Sequence, residues 1–152
     1  MRLYGPAVTW AILLLVVDAQ AWWAMFGLRN KHEWTFLGFS IVLLETILLY
    51  LLAALVLPRF EGEGTIDLRV NFLEHARWFF GCFVALLVVS LVKDRILNDH
   101  WPGGFNLIFH LMAMAGAVLA AVTRNDRFHR IFVGYSIVLF IVYIMMLFAR
   151  LR

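Results

Sequence analysis

The chain has 152 residues, of which 64% are hydrophobic and 15% are charged, and its mean hydropathy is +0.87. Soluble domains contain about 45–50% apolar and about 25% charged residues, so this composition excludes an ordinary water-soluble domain. A helix needs about 20 residues to cross a hydrocarbon layer about 30 Å thick. Segments of that length use almost the whole chain and leave no room for a separate soluble domain.

The charge and the cysteine content exclude further classes of protein. The net charge of +3 comes from Arg and Lys at the ends of apolar segments, which is typical of membrane helices and argues against nucleic-acid binding. The single cysteine, Cys82, excludes an intrachain disulfide and a multi-cysteine metal site. Because no nucleophile elbow, phosphate loop or zinc-protease helix is present, we expect no enzyme, and the sequence names no cofactor or metal.

Five apolar segments follow one another along the chain. We predict that they are transmembrane helices covering residues 7–26, 34–57, 76–92, 105–123 and 131–148. The first is too long for a cleavable signal, so we expect it to be retained. The second is followed by a polar connection over residues 59–74, and Lys93, Asp94 and Arg95 are predicted to end the third.

The short corners between these segments predict the architecture. Neighbouring helices must be antiparallel, which gives a single all-α, polytopic bundle of five helices with its termini on opposite sides. We name the side that holds the N-terminus face A and the other side face B. Strand-like alternation is absent, so a β-barrel is rejected.

Small residues recur on the fourth segment at helical spacing. Ala113, Ala117 and Ala121 repeat every four residues, with Gly116 alongside. Small residues allow helix backbones to approach closely, and close packing drives helix association in lipid. We therefore predict a helix-packing face, formed by Ala113, Gly116, Ala117 and Ala121.

Ionisable side chains inside the apolar segments are the strongest candidates for function. Asp18 and Glu45 lie near the midplane, and His110 lies about 9 Å inside face B. An acid at mid-helix costs about 3 kcal/mol on insertion scales, so each must face protein, water or another polar group. Matching depth predicts an intramembrane polar cluster of Asp18, Glu45 and His110, with Gln20 and Tyr50 as neighbours. Such a cluster suits a divalent cation or a proton relay, and it also suits an inert set of hydrogen bonds between helices.

A resemblance rests on four short strings, WTFL, LLYLLAAL, DLR and RWFFG, at residues 34–37, 48–55, 67–69 and 77–81. In that order they resemble a family of small multi-pass bacterial membrane proteins, over most of residues 2–100. The resemblance implies a bacterial inner-membrane location and supplies no activity. It draws attention to four interfacial residues, Asp67, Arg69, Arg77 and Trp78.

This chain departs from the family pattern in two ways. The family often has a glutamine where this chain has Glu45, so the resemblance gives no support to a shared catalytic role for that carboxylate. The family often also has an additional helix ahead of the segment that corresponds to residues 2–4 of this chain.

Two functional hypotheses remain open at this point. In the first, the protein is a non-enzymatic membrane subunit that binds lipids, other membrane helices, a second copy of itself or hydrophobic ligands. The small-residue face of the fourth segment would then be its binding surface. In the second, it is a small oligomeric cation or proton conduit built around Asp18, Glu45 and His110. The small size of the chain favours the subunit.

Overall fold

The structure is a computed structural model that describes residues 3–57, 67–99 and 101–150, with side chains as far as residue 146. Over these residues the chain folds into five helices and no strand, which confirms the predicted all-α bundle. The helices are α1 (Gly5–Gly27), α2 (Phe36–Val56), α3 (Leu68–Asn98), α4 (Gly104–Val122) and α5 (Asp126–Arg150).

Contacts at the two ends of the bundle show that successive helices are antiparallel. At face A, the Tyr4 hydroxyl donates to Asp126 at the start of α5, with an O–O distance of 2.6 Å. The guanidinium of Arg69, at the start of α3, lies 3.7 Å from the same carboxylate. At face B, Lys31 donates to the carbonyl of Leu97 near the end of α3 at 2.9 Å. The starts of α1, α3 and α5 therefore share face A.

Local sequence signals set the starts of three helices. Pro6 occupies the first turn of α1, where a missing N–H removes no helical hydrogen bond. The side chain of Thr35 caps α2 by accepting from the amide of Gly38 at 3.0 Å. Asp67 caps α3 by accepting from the amide of Arg69 at 2.9 Å. These caps satisfy amides that have no partner within their own helix.

Helix α3 is longer than the predicted third segment, which covered residues 76–92. It begins at Leu68, because Asp67 caps it, and it continues through the charged residues 93–95 to Asn98. Residues 68–74 of the predicted polar connection are therefore helical, and residues 58–66 lie outside the described part of the chain. At 31 residues, α3 is about 46 Å long and projects beyond the hydrocarbon layer. It lies at the centre, with its most extensive contacts to α2 and α4.

Aromatic side chains fill the half of the core nearest face A. Trp10 on α1 is 1% exposed, and its ring centroid lies 5.3–5.9 Å from those of four phenylalanines. These four are Phe79, Phe80, Phe83 and Phe132. The buried imidazole of His129 stacks on Phe80 and donates from Nε2 to the carbonyl of Thr123 at 2.8 Å. We call Trp10 and these four phenylalanines the aromatic plug.

Four helices, α1, α2, α4 and α5, are long and apolar enough to cross a membrane. In each of α1 and α2, only 17% of the apolar stretch that could cross the membrane is buried within the bundle. Large apolar side chains such as Leu15, Phe36 and Val138 therefore point outward over most of the surface. Water would not support such a surface, so the protein is membrane-embedded.

Candidate functional site

A buried ion pair joins α2 to α3 inside the bundle. The ammonium nitrogen of Lys93 lies 2.7 Å from both carboxylate oxygens of Glu45. The two side chains are 9% and 5% exposed, respectively. Charges in a low-dielectric interior are tolerated when they are paired and hydrogen-bonded, and this pair satisfies both conditions.

His110 on α4 extends the polar group toward Ser90 on α3. The imidazole Nδ1 lies 2.8 Å from the carbonyl of Asn106, and Nε2 lies 3.4 Å from the Ser90 hydroxyl. Because a carbonyl can only accept, Nδ1 carries the proton and Nε2 of the neutral ring accepts from Ser90. The imidazole is thus held in one tautomer by contacts on both sides.

These four side chains line one partly enclosed cavity of about 120 Å³. Gln20 from α1 and Tyr143 from α5 complete its polar lining, so all five helices contribute to it. The volume is large enough for several water molecules at about 30 Å³ each. We call Glu45, Ser90, Lys93 and His110 the internal polar cluster.

Asp18 does not join the internal polar cluster. Its side chain is exposed and lines a separate groove of about 390 Å³ between α1 and α2, together with Thr46 and Tyr50. Leu49 lines both spaces and lies between them. Over the described residues, Asp18 forms no hydrogen bond or ion pair. The predicted cluster is therefore divided, with Glu45, His110 and Gln20 around the cavity and Asp18 and Tyr50 in the groove.

The rotation of side chains around each helix explains why residues at matching depth do not all line one cavity. Successive residues turn by about 100° around a helix, so Asp18 points about 160° away from Gln20, two positions later. Tyr50 likewise lies about 140° around α2 from Glu45. Gln20 and Glu45 face the interior, and Asp18 and Tyr50 consequently face outward.

Lys93 and Ser90 are the members of the internal polar cluster that sequence reasoning missed. The position of Lys93 beside Asp94 and Arg95 suggested a helix end at the membrane surface, whereas α3 continues past it. The available signal was the apolar pair Ile96 and Leu97 after the three charges, of which Leu97 is 8% exposed. A cation was also needed to neutralise Glu45.

The predicted helix-packing face of α4 is used inside the bundle. Ala113 and Ala117 are 5% and 0% exposed, and Ala121 packs against the core. A Cβ atom added to Gly116 would lie 2.6 Å from Cε2 of Phe132 on α5. Ala113, Gly116 and Ala117 on this face therefore pack against the chain's own helices.

The predicted interfacial residues all lie at face A. Asp67 caps α3, Trp78 is 70% exposed, and Arg77 is exposed beside the end of α4. Arg69 approaches Asp126, which also accepts from Arg130 at 3.1 Å.

Asp126 accepts the hydroxyl of Tyr4 as well, so three side chains approach this carboxylate. Burial of the Tyr4 phenol, followed in importance by its hydrogen bond to Asp126, holds the pKa of Tyr4 well above its usual range. Tyr4, Arg69 and Asp126 come from distant parts of the chain, so the sequence contains no signal for this convergence.

Within residues 3–57, 67–99 and 101–150, no group of three His, Cys, Asp or Glu side chains is placed to hold a metal ion. No protein-family model, curated protein or solved structure matches the chain.

Proposed function

We propose that this protein is a non-enzymatic accessory subunit of a membrane complex in a bacterial inner membrane. It holds a transmembrane helix of another membrane protein in the groove between α1 and α2. The observation that carries this proposal is Asp18, a carboxyl group at mid-helix that faces outward without a partner among the described residues. The bacterial location rests on the sequence resemblance.

The depth of Asp18 makes an outward carboxyl costly. Asp18 lies about 20 Å from the start of α1 and about 14 Å from its end, near the middle of the hydrocarbon layer. An aspartate at this depth costs about 2.5–3.5 kcal/mol on insertion scales. Glu45 is neutralised within the chain by Lys93, whereas Asp18 is not. A basic side chain on a partner helix at matching depth would neutralise Asp18.

The shape of the groove suits a helix. Ala11 and Ala53 form part of its wall, and small residues of this kind allow a neighbouring backbone to approach closely. The exposed hydroxyls of Thr46 and Tyr50 add polar contacts beside the carboxylate. A partner helix can therefore pair its apolar face with the wall and its basic residue with Asp18.

The conduit hypothesis has less support from the geometry. It places Asp18, Glu45 and His110 on one path, and Asp18 lies in a different space from the other two. The internal polar cluster lies toward face B, and the aromatic plug fills the core between it and face A. A path for ions across the bundle would have to pass through these packed rings.

Site-specific photo-crosslinking in native membranes tests the proposed docking. A benzoylphenylalanine at position 46 lies in the groove, and one at position 138, on the exposed surface of α5, is the matched control. We expect position 46 to capture a transmembrane segment that carries Lys, Arg or His in its central third. Position 138 should not capture it.

Variants at Asp18 make the test specific. Asp18→Asn should reduce the yield of this adduct at least five-fold, and Asp18→Glu should preserve most of it. Unchanged yield in Asp18→Asn would overturn the proposal. Adducts only to lipid, or only to a second copy of this chain, would overturn it as well.

A further inference from the structure

A second polar recess lies at face A, between the first turns of α3 and the end of α4. Its volume is about 300 Å³, and Arg77, Arg124, Thr123 and Glu74 supply its polar lining. Leu73, Ala76, Ala121 and Val122 supply its apolar lining. We call this recess the face A pocket. It is separate from the groove that contains Asp18.

Two arginines give the described lining of the face A pocket a positive charge. Arg69 and Arg130 are close by in the fold, and both approach Asp126. Arg77 and Arg124, by contrast, are exposed and form no ion pair with any described acid, including Glu74 on the rim. Among the described lining residues, two guanidinium groups and one carboxylate leave a net charge of +1. A guanidinium presents a planar pair of N–H donors that matches phosphate oxygens.

The pocket lies at the level of lipid headgroups. The apolar stretch of α4 ends at Val122, and Thr123 and Arg124 follow it at the membrane surface. Trp78, next to Arg77, is 70% exposed, and tryptophan favours the boundary between headgroups and hydrocarbon. Val122 is 74% exposed at the mouth of the pocket, where an acyl chain would run.

We propose that the face A pocket binds the phosphate headgroup of an anionic phospholipid. Arg77 and Arg124 hold the phosphate from two helices, and the Thr123 hydroxyl donates a further hydrogen bond. The acyl chains pack against Val122 and Trp78. Basic recesses between transmembrane helices at one membrane face are a recurrent form of anionic lipid site.

Lipid retention measured by native mass spectrometry tests this proposal. The purified protein in non-ionic detergent is titrated with dioleoylphosphatidylglycerol, with dioleoylphosphatidylcholine and with inorganic phosphate. We expect retention of phosphatidylglycerol in preference to phosphatidylcholine. The double variant Arg77→Gln/Arg124→Gln should weaken this binding at least ten-fold.

The matched control removes the same charge elsewhere. Arg29→Gln/Arg127→Gln changes two exposed arginines that do not line the pocket, and it should alter lipid affinity less than two-fold. Both double variants should keep the wild-type unfolding midpoint, because the altered side chains are exposed. Equal losses in the two double variants, or equal binding of the two lipids, would overturn the proposal. Inorganic phosphate binding as tightly as phosphatidylglycerol would show a phosphate site in place of a lipid site.

Discussion

Breaking the buried pair of Glu45 and Lys93 should destabilise the bundle strongly. At 2.7 Å, two unit charges attract by about 6 kcal/mol at an effective dielectric constant of about 20. Desolvation offsets much of this attraction, and removing one partner of such a pair typically costs about 3–5 kcal/mol. We therefore expect Lys93→Met to lower the free energy of unfolding by about 3 kcal/mol, since it leaves a buried carboxylate unpaired.

The two single substitutions should lower the free energy of unfolding by different amounts. Lys93 lies about 8 Å from the end of α3, so its long side chain can reach toward face B when Glu45 is replaced. Glu45→Gln should therefore cost less than Lys93→Met, about 2 kcal/mol. The double variant should lie within about 1 kcal/mol of wild type, because no unpaired charge is left.

A double-mutant cycle measures this coupling. Unfolding free energies are obtained from detergent mixtures of increasing dodecyl sulfate content, and helicity is followed by circular dichroism. Arg95 and Asp99 form an exposed ion pair near the same end of α3 and serve as the control, for which we expect far weaker coupling. Additive effects of Glu45→Gln and Lys93→Met, with coupling below about 0.5 kcal/mol, would refute the paired arrangement.

Three further predictions concern other parts of the molecule. Gly116→Ala should lower the free energy of unfolding by about 1–3 kcal/mol, because the added Cβ lies 2.6 Å from Phe132. Asp18→Asn should change the stability of the purified protein by less than about 0.5 kcal/mol, since this exposed carboxyl has no partner among the described residues. Tyr4→Phe should lower the thermal midpoint of unfolding, because it removes the hydrogen bond to Asp126. In the wild-type protein, the raised pKa of Tyr4 should keep its phenol protonated at a pH of about 10, where exposed phenols ionise. The raised pKa of Tyr4 means that its stabilising contribution is complete below pH of about 10 and is lost only as the pH rises toward that raised value.

Each of these predictions has a control and a contradicting result. Gly134→Ala adds a methyl group where no atom lies within 4 Å, and equal losses at positions 116 and 134 would contradict the close packing of α4 on α5. A loss of about 2 kcal/mol or more in Asp18→Asn would place that carboxyl among the internal polar groups. An unchanged thermal midpoint in Tyr4→Phe would contradict the bond to Asp126.

The helices could be predicted from the sequence more fully than the site. Apolar length identifies a membrane helix, so α1, α2, α4 and α5 and the antiparallel order of the bundle could be inferred without coordinates. The end of α3 was misplaced, because a lysine near a helix terminus normally marks the interface, whereas Lys93 is buried by its bond to Glu45. The charge of Lys93 alone does not reveal its partner, because Glu45 lies on another helix, 48 positions earlier in the sequence.

The candidate site was only partly predictable for a geometric reason. Residue counting along a helix gives the depth of Asp18 and Glu45 but not the direction in which each side chain points. That direction depends on which neighbours cover each helix face, and these neighbours are set by tertiary packing. Glu45 and His110 were correctly expected to share a space, while Asp18 was wrongly placed with them.

Spin-label accessibility at position 18 tests the central claim most directly. A nitroxide attached to Asp18→Cys, in a Cys82→Ala background, is measured in proteoliposomes of the purified protein, with a label at buried Ala113 for comparison. If the groove between α1 and α2 opens to lipid, the label at 18 will collide often with oxygen and rarely with a water-soluble nickel chelate. A label at 18 that is as protected from oxygen as the label at 113 would contradict the outward carboxyl and the docking site built on it.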